Sequence, residues 1–153
     1  MFRKLALMIA IALVALFVAI QFKVAPLTNP PSKGDLSAPP EVQAILKRSC
    51  FDCHSNQTKW PWYSHVAPIS WMVVRHVEAG RQQMNFSEWG EYFPTTRKRK
   101  LQWMQRALHE EVMPLWSYRM MHPDARLSDD DRARLLEWIQ TGLSAPMSGT
   151  SAK

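Results

Sequence analysis

Apolar residues are distributed along this chain in two ways, as one unbroken run near the start and as helical repeats further on. The unbroken run is Leu5–Ile20, sixteen residues without a charge. Beyond residue 40, apolar side chains recur three and four positions apart, which is the repeat of an amphipathic helix. No segment there alternates apolar and polar residues as a half-exposed strand does. The pattern predicts an all-α domain behind an apolar N-terminal helix.

The helical repeat divides the later part of the chain into separate elements. The predicted elements are a helix over 41–49, a helix over 68–83, a turn or short helix over 85–89, a helix over 95–112 and a last helix after residue 128. Thr95 is a candidate cap for the third helix, with Val112 on its apolar face. Ser128 and Asp131 predict a capping box at the start of the last helix. Gly142 is its predicted C-cap.

The N-terminal run follows two basic residues, Arg3 and Lys4, as in an export signal. Cleavage after Ala25 would leave Lys23 at the third position before the cut and Pro26 directly after it, which is a poor site. We therefore favour an uncleaved anchor in a bacterial inner membrane, with the basic N-terminus cytoplasmic and the remainder periplasmic. The alternative is a cleaved signal and a soluble periplasmic protein.

Four regions follow from this organisation. We assign 1–25 to a transmembrane signal anchor, 26–40 to a Pro-rich tether, 41–143 to the folded domain and 144–153 to a flexible tail. The tether has five prolines and few side chains that could pack.

The exported part of the chain has a small positive excess of charge, 16 basic against 13 acidic residues. The whole sequence has 19 basic and 13 acidic residues, and the anchor removes three of the basic ones. The basic run 97–100 is interpreted as the solvated start of a helix. We expect redox proteins and the membrane as partners, and neither nucleic acid nor a small-molecule substrate.

The only two cysteines lie in Cys50-Phe-Asp-Cys-His54, a C-x-x-C-H motif. This is the attachment pattern of c-type haem. Each thiol adds across one haem vinyl group to form a thioether, and the histidine that follows is the proximal iron ligand. Three alternatives fit less well: a disulfide, a thioredoxin-type redox pair, and a zinc site that also uses His65. We therefore predict one covalent haem c.

Aromatic residues are unusually frequent in the predicted domain, which contains all seven tryptophans. A haem is a large apolar plate that needs apolar side chains on both faces. We predict that the aromatic residues following the motif pack against it: Trp60, Trp62, Tyr63 and Trp71.

The second axial iron ligand is predicted to be Met113. Pro114 follows it, and a proline disfavours helical backbone in the residue before it, so the thioether would project from a loop. A structural role for Met113 in the core is the main alternative. The other candidates are His122, His65, His76, Met120 and Met121, or an open site.

Several segments together resemble a bacterial haem-binding domain family with a single C-x-x-C-H. They are Cys50–Tyr63, Ala67-Pro-Ile-Ser-Trp71, His76-Val-x-x-Gly-Arg81, Asn85-Phe-Ser-Glu-Trp89 and Met113-Pro-x-x-x-Tyr118. Met113-Pro114 and the last helix also resemble the C-terminal half of class I cytochromes c. The resemblance implies a small cytochrome c-like helical domain, haem on Cys50 and Cys53, His54 as proximal ligand and Met113 as distal ligand.

These features predict a membrane-anchored monohaem cytochrome c that carries single electrons in the periplasm and is not an enzyme. A haem-based sensor or peroxidase-like protein with an open or labile sixth site is the alternative, in which His122, Met120 and Met121 would form the distal pocket. A structural haem subunit of a larger membrane complex is a third interpretation.

Overall fold

The computed structural model describes residues 2–24 and 26–145, and these residues form helices and loops without a strand. The seven α-helices are α1 Phe2–Gln21, α2 Pro40–Ser49, α3 Phe51–His54, α4 Ile69–Gln83, α5 Pro94–His109, α6 Trp116–Met121 and α7 Asp129–Ser144. Three 3-10 turns lie between them, at Trp62–His65, Phe86–Glu91 and Pro123–Ala125. The predicted all-α fold is confirmed.

Helix α1 is apolar from Leu5 to Ile20, after Arg3 and Lys4 in its first turn. None of its residues is buried, and its mean hydropathy of 2.4 is that of a segment able to cross a membrane. An export signal has the same character.

The core lies where α2, α5 and α7 meet. Val42, Ile45 and Leu46 form the buried face of α2, as its repeat predicts, and they pack with Leu135 and Ile139 of α7. Arg48 of α2 also pairs with Asp131 at the start of α7, 2.7 Å away. This arrangement holds the end of α2, and therefore the cysteine motif, against the rest of the domain.

The predicted capping box of α7 is present. The Asp131 N–H donates to Ser128 Oγ, and the Ser128 N–H donates to the Asp131 carboxylate. The C-terminal prediction is wrong, because α7 continues past Gly142 to Ser144. Gly142 instead packs closely against Leu101 of α5, where a Cβ would lie 2.9 Å from a Leu101 methyl group.

The third predicted helix is real, but both of its ends differ from prediction. Helix α5 begins at Pro94 without a side-chain cap from Thr95, and it ends at His109. Glu111 has a φ of 53°, a left-handed conformation that cannot continue a helix. Val112 is consequently exposed and does not belong to the buried face.

The Pro-rich segment was predicted to be a tether, but in the structure it contacts the domain. The Lys33 N–H donates to Ser87 O and the Leu36 N–H donates to Phe86 O, each at 2.8 Å. The Leu36 side chain is buried in the core cluster. Much of the segment therefore belongs to the folded unit, and the boundary predicted at residue 40 does not separate two structural units.

Candidate functional site

The C-x-x-C-H motif forms one tight helical turn. Cys50 ends α2 and caps α3, and its carbonyl accepts hydrogen bonds from the N–H groups of Cys53 and His54, at 3.2 and 2.9 Å. Both cysteines are free thiols. All three side chains border the same cavity.

A hydrogen bond to a backbone carbonyl fixes the orientation of the His54 imidazole. Its Nδ1 lies 3.1 Å from the carbonyl oxygen of Met84. A carbonyl can only accept, so Nδ1 carries the proton and Nε2 keeps its lone pair for a ligand. Histidines that bind metals are commonly held in this way.

The cavity measures about 720 Å³, within the range of roughly 300–1,000 Å³ that is usual for ligand pockets. Its walls are mostly apolar. They come from the motif, from α4, α5 and α6, and from the loops between them. The apolar and aromatic residues that line it include Trp62, Tyr63, Ile69, Met72, Val73, Val77, Met84, Phe86, Met104, Leu108, Leu115, Trp116, Tyr118, Met120, Met121 and Leu127.

Burial keeps the two thiols and the imidazole of the motif uncharged. It raises the pKa of the Cys50 thiol to about 12, with a further contribution from Cys53, and the pKa of the Cys53 thiol to about 11, with a contribution from Asp52. Burial also lowers the pKa of the His54 imidazole, although hydrogen bonds to the backbone carbonyls of Met84 and Gly80 oppose this. The neutral imidazole is the form that binds iron.

Met113 lies in the loop between α5 and α6 and borders the same cavity as His54. Its side chain is 37 % exposed. Pro114, which follows it, is buried and also lines the cavity. The structure therefore brings together the four residues that were predicted to hold and ligate the haem.

His122 borders the cavity too, but its Nε2 is engaged. It lies 2.7 Å from the Tyr63 hydroxyl, and the imidazole stacks on the Tyr118 ring with centroids 4.3 Å apart. The Tyr118 hydroxyl donates to the Asp52 carboxylate at 2.6 Å. This chain of four polar side chains joins α3, α6 and the 3-10 turn at Trp62–His65.

Sequence reasoning gave no role to Asp52, Met84, Phe86 or Tyr118. Phe86 and Tyr118 lie in segments already noted for family resemblance, which was the only available signal for them. The Met84 carbonyl has no side-chain signature, because any residue supplies a backbone carbonyl.

Two of the four predicted haem-packing aromatics border the cavity, namely Trp62 and Tyr63. Trp60 and Trp71 do not line it. Trp71 lies on another face of α4, and its indole N–H donates to Lys23 O at 2.9 Å. Eight α4 residues line the cavity, all on one side of the helix that excludes Trp71: Ile69, Met72, Val73, His76, Val77, Ala79, Gly80 and Gln83.

The remaining histidines separate into two groups. His76 lines the cavity, whereas His65 and His109 are exposed and do not. Over residues 2–24 and 26–145, no three His, Cys, Asp or Glu side chains are grouped as a metal site. A zinc site built from the cysteines, His54 and His65 therefore has no support.

The cavity fits a haem. Two neutral thiols lie beside an imidazole whose free nitrogen is not engaged by a carbonyl, and apolar walls surround them. A thioether lies in the same lining, which completes the nitrogen and sulfur donor pair of many electron-transfer haems.

A family model described as a haem-binding domain matches residues 10–141 of the chain. No curated protein and no solved structure matches it.

Proposed function

The chain belongs to the haem-binding domain family, and on this premise we propose that it is a membrane-anchored monohaem cytochrome c. It would carry single electrons on the periplasmic side of a bacterial inner membrane. The observation that carries the proposal is the shared cavity of Cys50, Cys53, His54 and Met113. A haem bound there supplies a one-electron iron couple.

Cys50 and Cys53 would hold the group through two thioether bonds. They are the only cysteines in the sequence and lie on one helical turn at the cavity wall. Their protonated state in the folded protein suits thiols that are not used for redox exchange, because the thiolate is the reactive form.

His54 and Met113 are the proposed axial ligands. His54 is oriented by the Met84 carbonyl, and Met113 is carried by a loop whose next residue, Pro114, is buried. His122 is the weaker candidate because Tyr63 engages its Nε2. Ligation on both sides would leave no position for a substrate, as an electron carrier requires.

The apolar walls would exclude water from the iron. A dry site of fixed shape needs little rearrangement when its charge changes, which favours fast electron transfer. The redox partners would be other proteins, and the chain itself would be a carrier and not an enzyme.

Membrane attachment is proposed from α1. Its 20 residues would extend about 30 Å, which matches the hydrocarbon thickness of a bilayer. Arg3 and Lys4 at its start favour a cytoplasmic N-terminus.

Two assays on the full chain, produced in a host that attaches c-type haem, test the proposal. Haem should resist acid–acetone extraction from the wild type, and Cys50→Ala with Cys53→Ala should release it. A reductive titration should give one reversible one-electron transition. Extractable haem in the wild type would contradict the covalent claim.

A sensor or peroxidase-like protein is the second candidate. Two observations favour it: Met113 is 37 % exposed, and a hydrogen-bonded pair, Tyr63 and His122, lies in the cavity wall. Carbon monoxide separates the two functions. Rapid binding to the ferrous protein at neutral pH supports an open site, and no binding supports the carrier.

A further inference from the structure

The last turn of α1 is hydrogen-bonded to the haem domain. The Gln21 side-chain amide donates to Ala67 O at 3.1 Å and accepts from the Ala67 N–H at 2.9 Å. The Trp71 indole N–H donates to Lys23 O at 2.9 Å. Three hydrogen bonds therefore join the end of α1 to the start of α4, across more than forty residues of sequence.

If α1 spans a bilayer, these contacts determine how far the domain lies from the hydrocarbon core. The apolar run ends at Ile20; Gln21 and Phe22 come next, and the charged Lys23 follows them. The Gln21 amide would then lie at the boundary of the hydrocarbon, because a helix of this length matches the thickness of the bilayer core. Ala67 and Trp71, which contact this end of α1, would lie at the level of the headgroups.

The exposed side chains near this end of α1 are of the kinds found at the level of lipid headgroups. Phe22 is 86 % exposed, Ile69 and Trp71 are exposed at the start of α4, and Trp62, which is 74 % exposed, lies in the 3-10 turn that packs against α4. We name these four residues the α4-end surface. Tryptophan is enriched at membrane interfaces, where its ring is apolar and its N–H is polar. Lys23 and Arg75, both exposed, add positive charge close by, which suits anionic headgroups.

We propose that the α4-end surface rests in the headgroup region of the bilayer, so that the haem domain lies on the membrane. The inference rests on the proposed anchoring by α1. The occupant of the surface is lipid, because the surface continues directly from the membrane helix and carries the side chains that lipid interfaces select. Trp62 and Ile69 also line the cavity, so one rim of the haem site would lie at the membrane surface.

The experiment uses the full, haem-loaded chain in vesicles of mixed zwitterionic and anionic lipids, with 5-fluorotryptophan at the tryptophan positions. Fluorine signals are assigned by Trp→Phe variants. Each signal is recorded with a headgroup-chelated Gd³⁺ lipid and with the diamagnetic La³⁺ lipid. The ratio of the two intensities cancels any broadening by the haem iron.

Trp62 and Trp71 should be broadened severalfold more than Trp103. Trp103 is the matched reference, because it is 39 % exposed on α5, close to the 38 % exposure of Trp71. Gln21→Leu removes both hydrogen bonds to Ala67 while keeping α1 apolar, and it should reduce the broadening at Trp62. Gln102→Leu, a change of the same kind on the exposed side of α5, should leave the broadening intact.

Two results would overturn the proposal in different ways. Suppose that the vesicles retain the chain through an alkaline carbonate wash, but that Trp62, Trp71 and Trp103 are broadened equally. The anchor would then stand and the docking would be refuted. This is also the result expected if another protein, and not lipid, covers the surface. Release of the chain by that wash would refute the anchor, and the docking with it.

Discussion

Gly80 and Cys53 touch backbone to backbone, at the point where α4 crosses the C-x-x-C-H turn. A Cβ on Gly80 would lie 3.0 Å from the carbonyl carbon of Cys53 and would overlap its carbonyl oxygen. The obstacle is main chain, so a side-chain rotation cannot relieve it. The absence of a side chain at residue 80 is therefore a condition for α4 to lie against the motif.

Gly80→Ala should accordingly displace α4 from the motif. We expect a stability loss of about 1–3 kcal/mol, which is usual for overpacking, and lower haem content per chain. Denaturant unfolding and the ratio of haem to protein absorbance measure the two effects. Gly142→Ala is the matched control, since its Cβ would meet only a Leu101 methyl group that can move. If both variants behaved alike, the close approach at Gly80 would not be limiting.

Arg81 should hold the Pro-rich segment on the domain. Its guanidinium donates to Thr28 O and Asn29 Oδ1 in that segment, and to Ser55 O and Thr58 Oγ1 after the motif, all within 3.0 Å. Arg81→Gln should therefore accelerate hydrogen exchange at the Lys33 and Leu36 amides, which bond Ser87 and Phe86.

Arg75→Gln changes an exposed arginine on the same helix, and exchange at both amides should stay at the wild-type rate. Unchanged exchange in Arg81→Gln would show that the segment is held by its other contacts, among them the backbone hydrogen bonds to Ser87 and Phe86 and the buried Leu36 side chain.

Asp131 should make the stability of the domain depend on acid pH. Burial raises the pKa of its carboxyl, but hydrogen bonds from Ser128 and the nearby Arg48 more than offset this and lower it overall. A carboxyl whose pKa is lowered by folding stabilises the fold at pH values above its ordinary pKa. This contribution is lost as the pH falls through the pKa of the folded state. Asp131→Asn should cost about 1 kcal/mol at neutral pH.

The difference between wild type and Asp131→Asn should then shrink when unfolding is measured at about pH 3, below the ordinary aspartate value. Asp130→Asn alters an exposed pair with Arg134 and should have little effect at either pH. A constant cost of Asp131→Asn across this range would rule out the ionised carboxylate as its source.

Tyr118 should make stability depend on alkaline pH. Burial raises its pKa well above the ordinary value, and the hydrogen bond to Asp52 and the charge of that carboxylate add to the effect. The contribution is complete below the ordinary tyrosine pKa of about 10 and is lost as the pH rises towards the folded-state value. Tyr118→Phe should cost about 1.5–3 kcal/mol at neutral pH, as for a hydrogen bond to a charged group.

The cost of Tyr118→Phe should fall when unfolding is measured above about pH 10. Trp116→Phe, on the same helix and 66 % exposed, separates this effect from a general loosening of α6. A cost that persists unchanged at high pH would mean that the ring of Tyr118 matters and its hydroxyl does not.

Local signals in the sequence were sufficient for the helices and for the haem-binding character of the domain. Repeats of three and four residues located α2, α4 and α5, and Ser128 with Asp131 gave the capping box of α7. The haem-binding character followed from five consecutive residues, Cys50–His54. Each of these signals lies within a few positions along the chain.

The features that prediction missed depend on tertiary contacts. Leu36 is buried because the backbone of the Pro-rich segment hydrogen-bonds to Phe86 and Ser87. No local sequence pattern predicts this pairing. Trp71 was expected at the haem because it is close in sequence to the motif, but the stripe of α4 that faces the cavity excludes it. Helix α5 ends early because Glu111 adopts a left-handed conformation, which composition does not predict.

The ligand pair of the iron is the central claim, and an absorption spectrum of the ferric full-length protein tests it most directly. The account predicts the weak long-wavelength band of methionine-to-iron charge transfer in the wild type. The band should vanish in Met113→Leu and persist in Met120→Leu, a matched change on α6. A high-spin or bis-histidine spectrum in the wild type, or a band that survives Met113→Leu, would contradict His54 and Met113 as the axial pair.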